Sequence, residues 1–295
     1  MTSAARVHRV PTLAESLGRM AAVSHHLASE VGPAEGEWVP FSELLQEQSP
    51  LRDRLLAQEA ERCPGLDVKG QVAFLLGGAM HYLMVVVAPL LLMGRQVPLL
   101  DPERLAFRTR QVPWQHGKES GTYQAIDWRF AEDAFWTDQS GDLPAGGIAV
   151  SSAEALYAQL NAQLATVFEP LIERFKVISR LSRGAQWRQA ADALAGAFLT
   201  TGQTLHMEPA ARAVADTLIG DSRSPLHNSK TGFVEIVVDH PAKPDQTIRQ
   251  TYRARGGCCR YYTADSGHLC STCVLVKPEE RDERLRNHLL NHHHD

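Results

Sequence analysis

Apolar residues recur at helical intervals over most of this chain. Leu13, Leu17, Met20, Ala21 and Val23 or Leu27 form one stripe, and with Thr12 as its cap they predict a helix through about Ala28. Leu44, Leu45, Leu51, Leu55 and Leu56 mark a second helical stretch from about Ser42, which Pro50 should split. From Val72 to Met93 the polar face disappears, and VAFLLGGAMHYLMVVVAPLLLM is apolar all round with His81 as its clear polar interruption. A run of this length is about that of a bilayer span. However, Gly77-Gly78, His81 and Pro89 break it up, its flanks carry little cationic bias, and no second run accompanies it. It is therefore read as the core helix of a large domain. No transmembrane span is expected, while peripheral contact with a membrane surface stays open.

After Pro98 the period changes. Leu105 to Val112 and Tyr123 to Phe130 have strand-like stretches, and Ser140 to Gly147 is a loop by its turn residues. Ser151 to Leu181 returns to helix behind the capping box Ser151-Ser-Ala-Glu154, with Pro170 expected to kink or divide it. Trp187 to Leu199 and Pro209 to Leu218 supply two more helices, with Gly202 and Gly220 as stops. Gly232 to Asp239 and Thr247 to Arg253 then flank a loop holding Pro241 and Pro244, the pattern of a hairpin with a long connection. These elements predict an α+β, mainly helical fold: a helical body, a small central strand element, and a C-terminal β-hairpin that leads into a cysteine-rich segment. The Ser, Pro, Asn and Gly content between Asp221 and Thr231 places a boundary there, separating residues 1–230 from 231–295.

Composition narrows the function classes. The 295 residues carry a net charge of only −4 and no run of Lys or Arg longer than two, which argues against a nucleic-acid surface. The stretch after Met1 lacks the apolar core of a secretory signal, so a cytoplasmic setting with reduced thiols is expected. Neither a GxGxxG turn after a strand nor a GxxxxGK phosphate loop is present, and this chain is expected to bind neither a dinucleotide nor ATP through those devices.

Four of the five cysteines fall within one short span, as Cys258-Cys259, ten intervening residues, then Cys270-Ser-Thr-Cys273. Thiolates select zinc, copper(I) or iron-sulfur clusters. Adjacent side chains on a strand point to opposite faces, so Cys258 and Cys259 can serve one centre only if the backbone turns or the centre holds two metals. A 2Fe-2S rhomb meets this condition, since each iron takes two thiolates. Gly256-Gly257 and Gly267 give the backbone room to place the ligands. Zinc is the alternative, although zinc ribbons pair two CxxC turns across a longer spacer. A disulfide between neighbours would be strained.

The Cys258-Cys259-x10-Cys270-x2-Cys273 motif, preceded by Arg255 and followed within it by Tyr262, resembles the 2Fe-2S signature of FhuF-type ferric-siderophore reductases. The YLMVVVAPLLLMG segment at 82–94, the EPLIERFK stretch from Glu169 and the helix led by Trp187 occur in comparable order, while the chain extends further past Cys273 than that pattern. The resemblance implies one-electron reduction of an Fe(III)-siderophore in the cytoplasm, with the four cysteines as ligands of a 2Fe-2S cluster. It also implies a separate electron donor, such as a ferredoxin or a flavin-dependent reductase, and a siderophore-binding region in residues 1–230. Arg255, Arg260 and His268 are second-sphere candidates that could stabilise the extra electron, with Lys277 more simply a solvated cation. The alternatives are a siderophore-binding or iron-sulfur sensor module without catalysis, and a structural zinc protein. His25-His26, His81, the terminal His292-His-His294, Cys63 and the tryptophans Trp114, Trp128, Trp136 and Trp187 are assigned by default to surface, core or tail.

Overall fold

Short-range capping and period decide most element starts in the computed structural model, which describes residues 9–23, 28–117, 119–240, 243 and 245–292. Helix α1 (Leu13–Val23) opens on a reciprocal box: the Glu15 amide donates to Thr12 Oγ1 and the Thr12 amide to Glu15 Oε2. Strands β1 (Glu30–Val31) and β2 (Val39–Pro40) and a 3-10 turn over Phe41–Leu45 precede α2 (Pro50–Arg62) and α3 (Val68–Gly94). Strands β3 (Gln96–Pro98), β4 (Leu105–His116), β5 (Glu119–Phe130), β6 (Phe135–Thr137) and β7 (Gly147–Ala149) follow. Then come α4 (Ala153–Ser179), α5 (Arg183–Thr204), α6 (Glu208–Gly220), the hairpin β8 (Gly232–Asp239) and β9 (Thr247–Ala254), and α7 (Pro278–His292). The fold is α+β and mainly helical, as the pattern predicts.

The chain forms two compact units, each built from separate stretches. One takes the described residues of Met1–Leu51 and Tyr82–Leu171, the other those of Arg52–His81 and Ile172–Asp295. This is a different division from the boundary expected at 230/231: the hairpin and cysteine segment share a unit with α5 and α6.

The first unit contains a sheet of order β1-β5-β4-β2 and a smaller one of order β3-β6-β7. Its central hairpin is longer than the period suggested, because β4 and β5 pair without a break from Leu105–Phe130 to His116–Glu119. Trp128 is buried on it and meets Phe41 at 5.9 Å and Phe107 at 6.0 Å between ring centroids. On the other face of β5, Asp127 is almost fully buried but accepts from Nε and Nη2 of Arg110 at 2.9 and 3.0 Å.

Several helix boundaries differ from expectation. Pro170 lies inside α4 and Pro89, with Gly77-Gly78, inside α3, so none of them ends its helix. Their flanking residues, Phe168, Leu171, Ile172, Val87, Leu90 and Leu91, are buried, and that packing outweighs the local penalty. In the most apolar window of α3, 67% of the residues are buried inside the protein. The cap of α4 is Ser152, whose Oγ accepts from the Ala155 amide, one residue later than the predicted Ser151. Gly202 does not stop α5; a Cβ there would stand 2.6 Å from that of Ala211, so the glycine allows α6 to pack closely. His25-His26 and, of the terminal histidine tract, His293 and His294 lie outside the described residues.

The segment past Cys273 has a structural role. Leu285 and Leu289 of α7 are buried with Ile236, Val238 and Ile248 of the hairpin, flanked by Val234 and Tyr252. A two-stranded hairpin cannot bury its apolar face alone, and α7 covers it. Leu285→Ala is expected to lower the unfolding free energy by about 2–5 kcal/mol. Denaturant unfolding followed by circular dichroism checks this, and an unchanged midpoint would remove α7 from the core.

Candidate functional site

The cysteine segment is fastened to the second unit at two points far apart in sequence. The first is Asp192, a lone carboxylate in the alanine-rich run AADALAGAFL of α5, which is 1% exposed. Its Oδ1 accepts from the Gly256 amide at 2.8 Å and from Thr231 Oγ1 at 2.6 Å, and its Oδ2 accepts from the Gly257 amide at 2.9 Å. Arg255 Nε approaches the same Oδ2 at 3.4 Å. The two glycines matter here for closeness to their surroundings. A Cβ on Gly256 would lie 2.1 Å from Asn228 Nδ2, and one on Gly257 3.0 Å from the backbone of Arg188 and Gln189.

The second fastening is Asp67, at the N-terminus of α3. Its Oδ1 accepts from the Gly70 amide at 2.8 Å, an N-cap bond, and its carboxylate also binds the Arg260 guanidinium, with Nε 2.9 Å from each oxygen. That partnership holds the Asp67 carboxyl below its usual range. The Asp265 amide donates to Pro64 O at 2.8 Å, and the Phe74 and Tyr261 rings meet edge-on.

Between these points the chain turns sharply. Arg260 has φ 62°, in the left-handed region that non-glycine residues seldom occupy. Past the turn, the backbone amides of Arg260 and Tyr261 act to favour the ionised forms of Cys258 and Cys259 respectively. The adjacent pair thus meets the condition set by its sequence, since the backbone does turn.

The four thiols are neighbours. Cys259 and Cys270 act strongly on each other's ionisation, and Cys273 lies within electrostatic reach of both Cys258 and Cys270. Cys270, with Arg255 assisting against burial, draws Cys259 down to about 5, while Cys259 and burial push Cys270 up. Burial pushes Cys258 up. Arg255 Nη1 stands 3.8 Å from Cys270 Sγ and Nη2 donates to Gln189 Oε1 at 2.9 Å. Burial acts to lower Arg255, but Cys259, Asp192 and Cys270 outweigh it and raise its pKa. Arg253 donates to the Asp192 carbonyl at 2.7 Å, and its pKa is lowered, first by burial and then by Arg255.

Among the described residues no three His, Cys, Asp or Glu side chains converge tightly enough to hold a single metal ion. A two-iron cluster spreads its four thiolates over a longer body than the tetrahedron around one zinc. The surroundings are also rich in donors. Besides Arg255 and the two amides, Gln189 Nε2 is buried without a hydrogen-bond partner, against Gly257 and so beside the thiols in sequence. An anionic group with sulfur acceptors suits such a lining.

Of the second-sphere candidates, Arg255 touches a sulfur. Arg260 contributes through its amide, while its side chain goes to Asp67. His268 packs edge-on against Tyr261, with centroids 5.2 Å apart, and makes no hydrogen bond to a sulfur among the described residues. Cys63 directly follows α2, its amide bonded to Glu59 O, outside the quartet. Sequence reasoning missed Asp192, Gln189, Arg253 and Asp67. The isolated carboxylate within the alanine-rich stretch of α5 was the one local signal among them.

An open cavity of about 710 Å³ adjoins the quartet in this unit, and Cys258 is part of its lining. Trp187 forms part of its wall, while Trp128 is a core residue of the first unit. Comparison with family models, with curated proteins and with solved structures finds no match for this chain.

Proposed function

We propose that this protein is a cytoplasmic ferric-siderophore reductase in which Cys258, Cys259, Cys270 and Cys273 hold a 2Fe-2S cluster. The observation that carries the reading is the setting of four neighbouring thiols: Arg255 Nη1 stands 3.8 Å from Cys270 Sγ, and the Arg260 and Tyr261 amides favour the ionised Cys258 and Cys259. When bound, such a cluster supplies a one-electron couple. The chain's own residues set the conditions for it. Arg255 and Arg253 place positive charge beside the thiolates, which favours the reduced, more negative state and raises the potential. The buried ion pair of Arg255 with Asp192 fixes where that charge stands.

The chemistry fits iron release. Hard oxygen donors hold Fe(III) far more strongly than Fe(II), so one added electron loosens the chelate and frees Fe(II) to softer ligands. Each ~59 mV of driving force changes a one-electron equilibrium about tenfold. The electron comes from a separate donor, a reduced ferredoxin or a flavin-dependent reductase.

Stopped-flow mixing of the dithionite-reduced protein with ferric chelates, in the presence of a chromogenic Fe(II) trap, tests this. The expected result is reoxidation of a red-brown protein with one Fe(II) trapped per electron. A cluster that stays reduced with every chelate makes the protein a binding or sensor module. A colourless protein with one zinc per chain overturns the cluster assignment.

A further inference from the structure

The cavity beside Cys258 has a charge pattern that the cysteine motif does not require. Arg183, Arg188, Lys230 and Arg260 contribute to its lining, and no aspartate or glutamate does. Arg260 is paired with Asp67, but Arg188 and Lys230 are exposed and have no ion-pair partner among the described residues. The first turn of α5 also borders the cavity through Arg183, Gly184 and Ala185, adding the positive end of a helix of 22 residues. A chain with net charge −4 has thus placed two cations without an ion-pair partner among the described residues, Arg188 and Lys230, at one concavity. Apolar surface completes it: Trp187 and Val274 lie in the wall, and Leu275 is 57% exposed at its edge. The volume, about 710 Å³, is in the range of small-molecule sites.

We infer that this cavity is the chelate site, and that it selects anionic ferric chelates with aromatic phenolate or catecholate donors over neutral or cationic hydroxamate chelates. The inference rests on the reductase reading. Arg188 and Lys230 meet the negative charge of the complex, Leu275 and Val274 offer it an apolar face, and Cys258 brings the thiol quartet to the same wall. A small concave volume favours a chelate here over the broad face that an acidic electron-donor protein would need.

Binding can be separated from electron transfer with gallium(III), which has the charge and size of Fe(III) but is not reduced under these conditions. Calorimetric titration of the full, cluster-loaded chain with a trianionic gallium tris-catecholate and a neutral gallium tris-hydroxamate gives the comparison. The tris-catecholate is expected to bind at least tenfold more tightly, with the difference shrinking as salt rises. Arg188→Gln and Lys230→Gln should each weaken it about fivefold and leave the hydroxamate unaffected. Both lie outside the cysteine segment, and an unchanged visible spectrum will show that the cluster is intact. Equal affinity for the two complexes, or binding indifferent to both substitutions, overturns the selectivity. If neither chelate binds while electron uptake from an acidic ferredoxin falls in both variants, the cavity is a donor dock and the inference fails. Charge-selective binding by a protein that assembles no cluster would refute the reductase reading while leaving the pocket assignment in place.

Discussion

Alanine at position 192 is expected to lower stability by about 3–5 kcal/mol and to prevent cluster assembly. Asp192 is a single carboxylate with four donors: two main-chain amides, the Thr231 hydroxyl and Arg255. Its removal leaves Arg255 poorly exposed, at 12%, without its carboxylate partner, and frees Gly256 and Gly257 from α5. Those glycines lead directly into Cys258, so the loss is felt at the cysteine segment. Asp192→Asn retains the shape and one acceptor oxygen but not the charge, and a smaller loss is expected. Thermal unfolding of the apoprotein reads the anchor independently of any metal, and iron and labile sulfide content read assembly. Wild-type stability in the alanine variant would show that α5 does not hold the cysteine segment.

Serine in place of Cys259 is expected to abolish the visible absorption and the reduced-state paramagnetic resonance signal of the cluster, together with Fe(II) release. Circular dichroism should still report a folded helical body. Cys270 and Arg255 draw the Cys259 thiol down to about 5, so on the proposed reading its loss removes a ligand that ionises readily. Cys63→Ser supplies the control, since Cys63 stands outside the quartet, and it should leave spectrum and activity unchanged. Iron content and spectrum retained in the Cys259 variant would remove that residue from the ligand set.

The two predictions depend on different kinds of information. Cys259 was legible in the sequence because a dense cysteine group is local, and the adjacent pair with a later CxxC already limits the geometries. The hairpin β8–β9 and the capping of α1 were legible for the same reason, since alternation and capping act over a few residues. Asp192 was not, because its meaning lies in amides more than sixty residues away. The Asp67 contact with Arg260 spans a still longer separation. His268 shows the converse. Proximity in sequence to Cys270 suggested a donor, yet its ring is spent on Tyr261.

By itself the sequence determined the mainly helical class, the positions of most elements, and a dense group of four cysteines. Periodicity and short spacings encode these, because the interactions behind them close within one or two turns of chain. Only the tertiary structure decided how the quartet is oriented, which charges stand against it, and that a cation-lined cavity opens beside Cys258. Those features arise where α5, the start of α3, the Pro225–Lys230 stretch and the cysteine segment meet. Their distances are set by packing across the second unit, which no local pattern records.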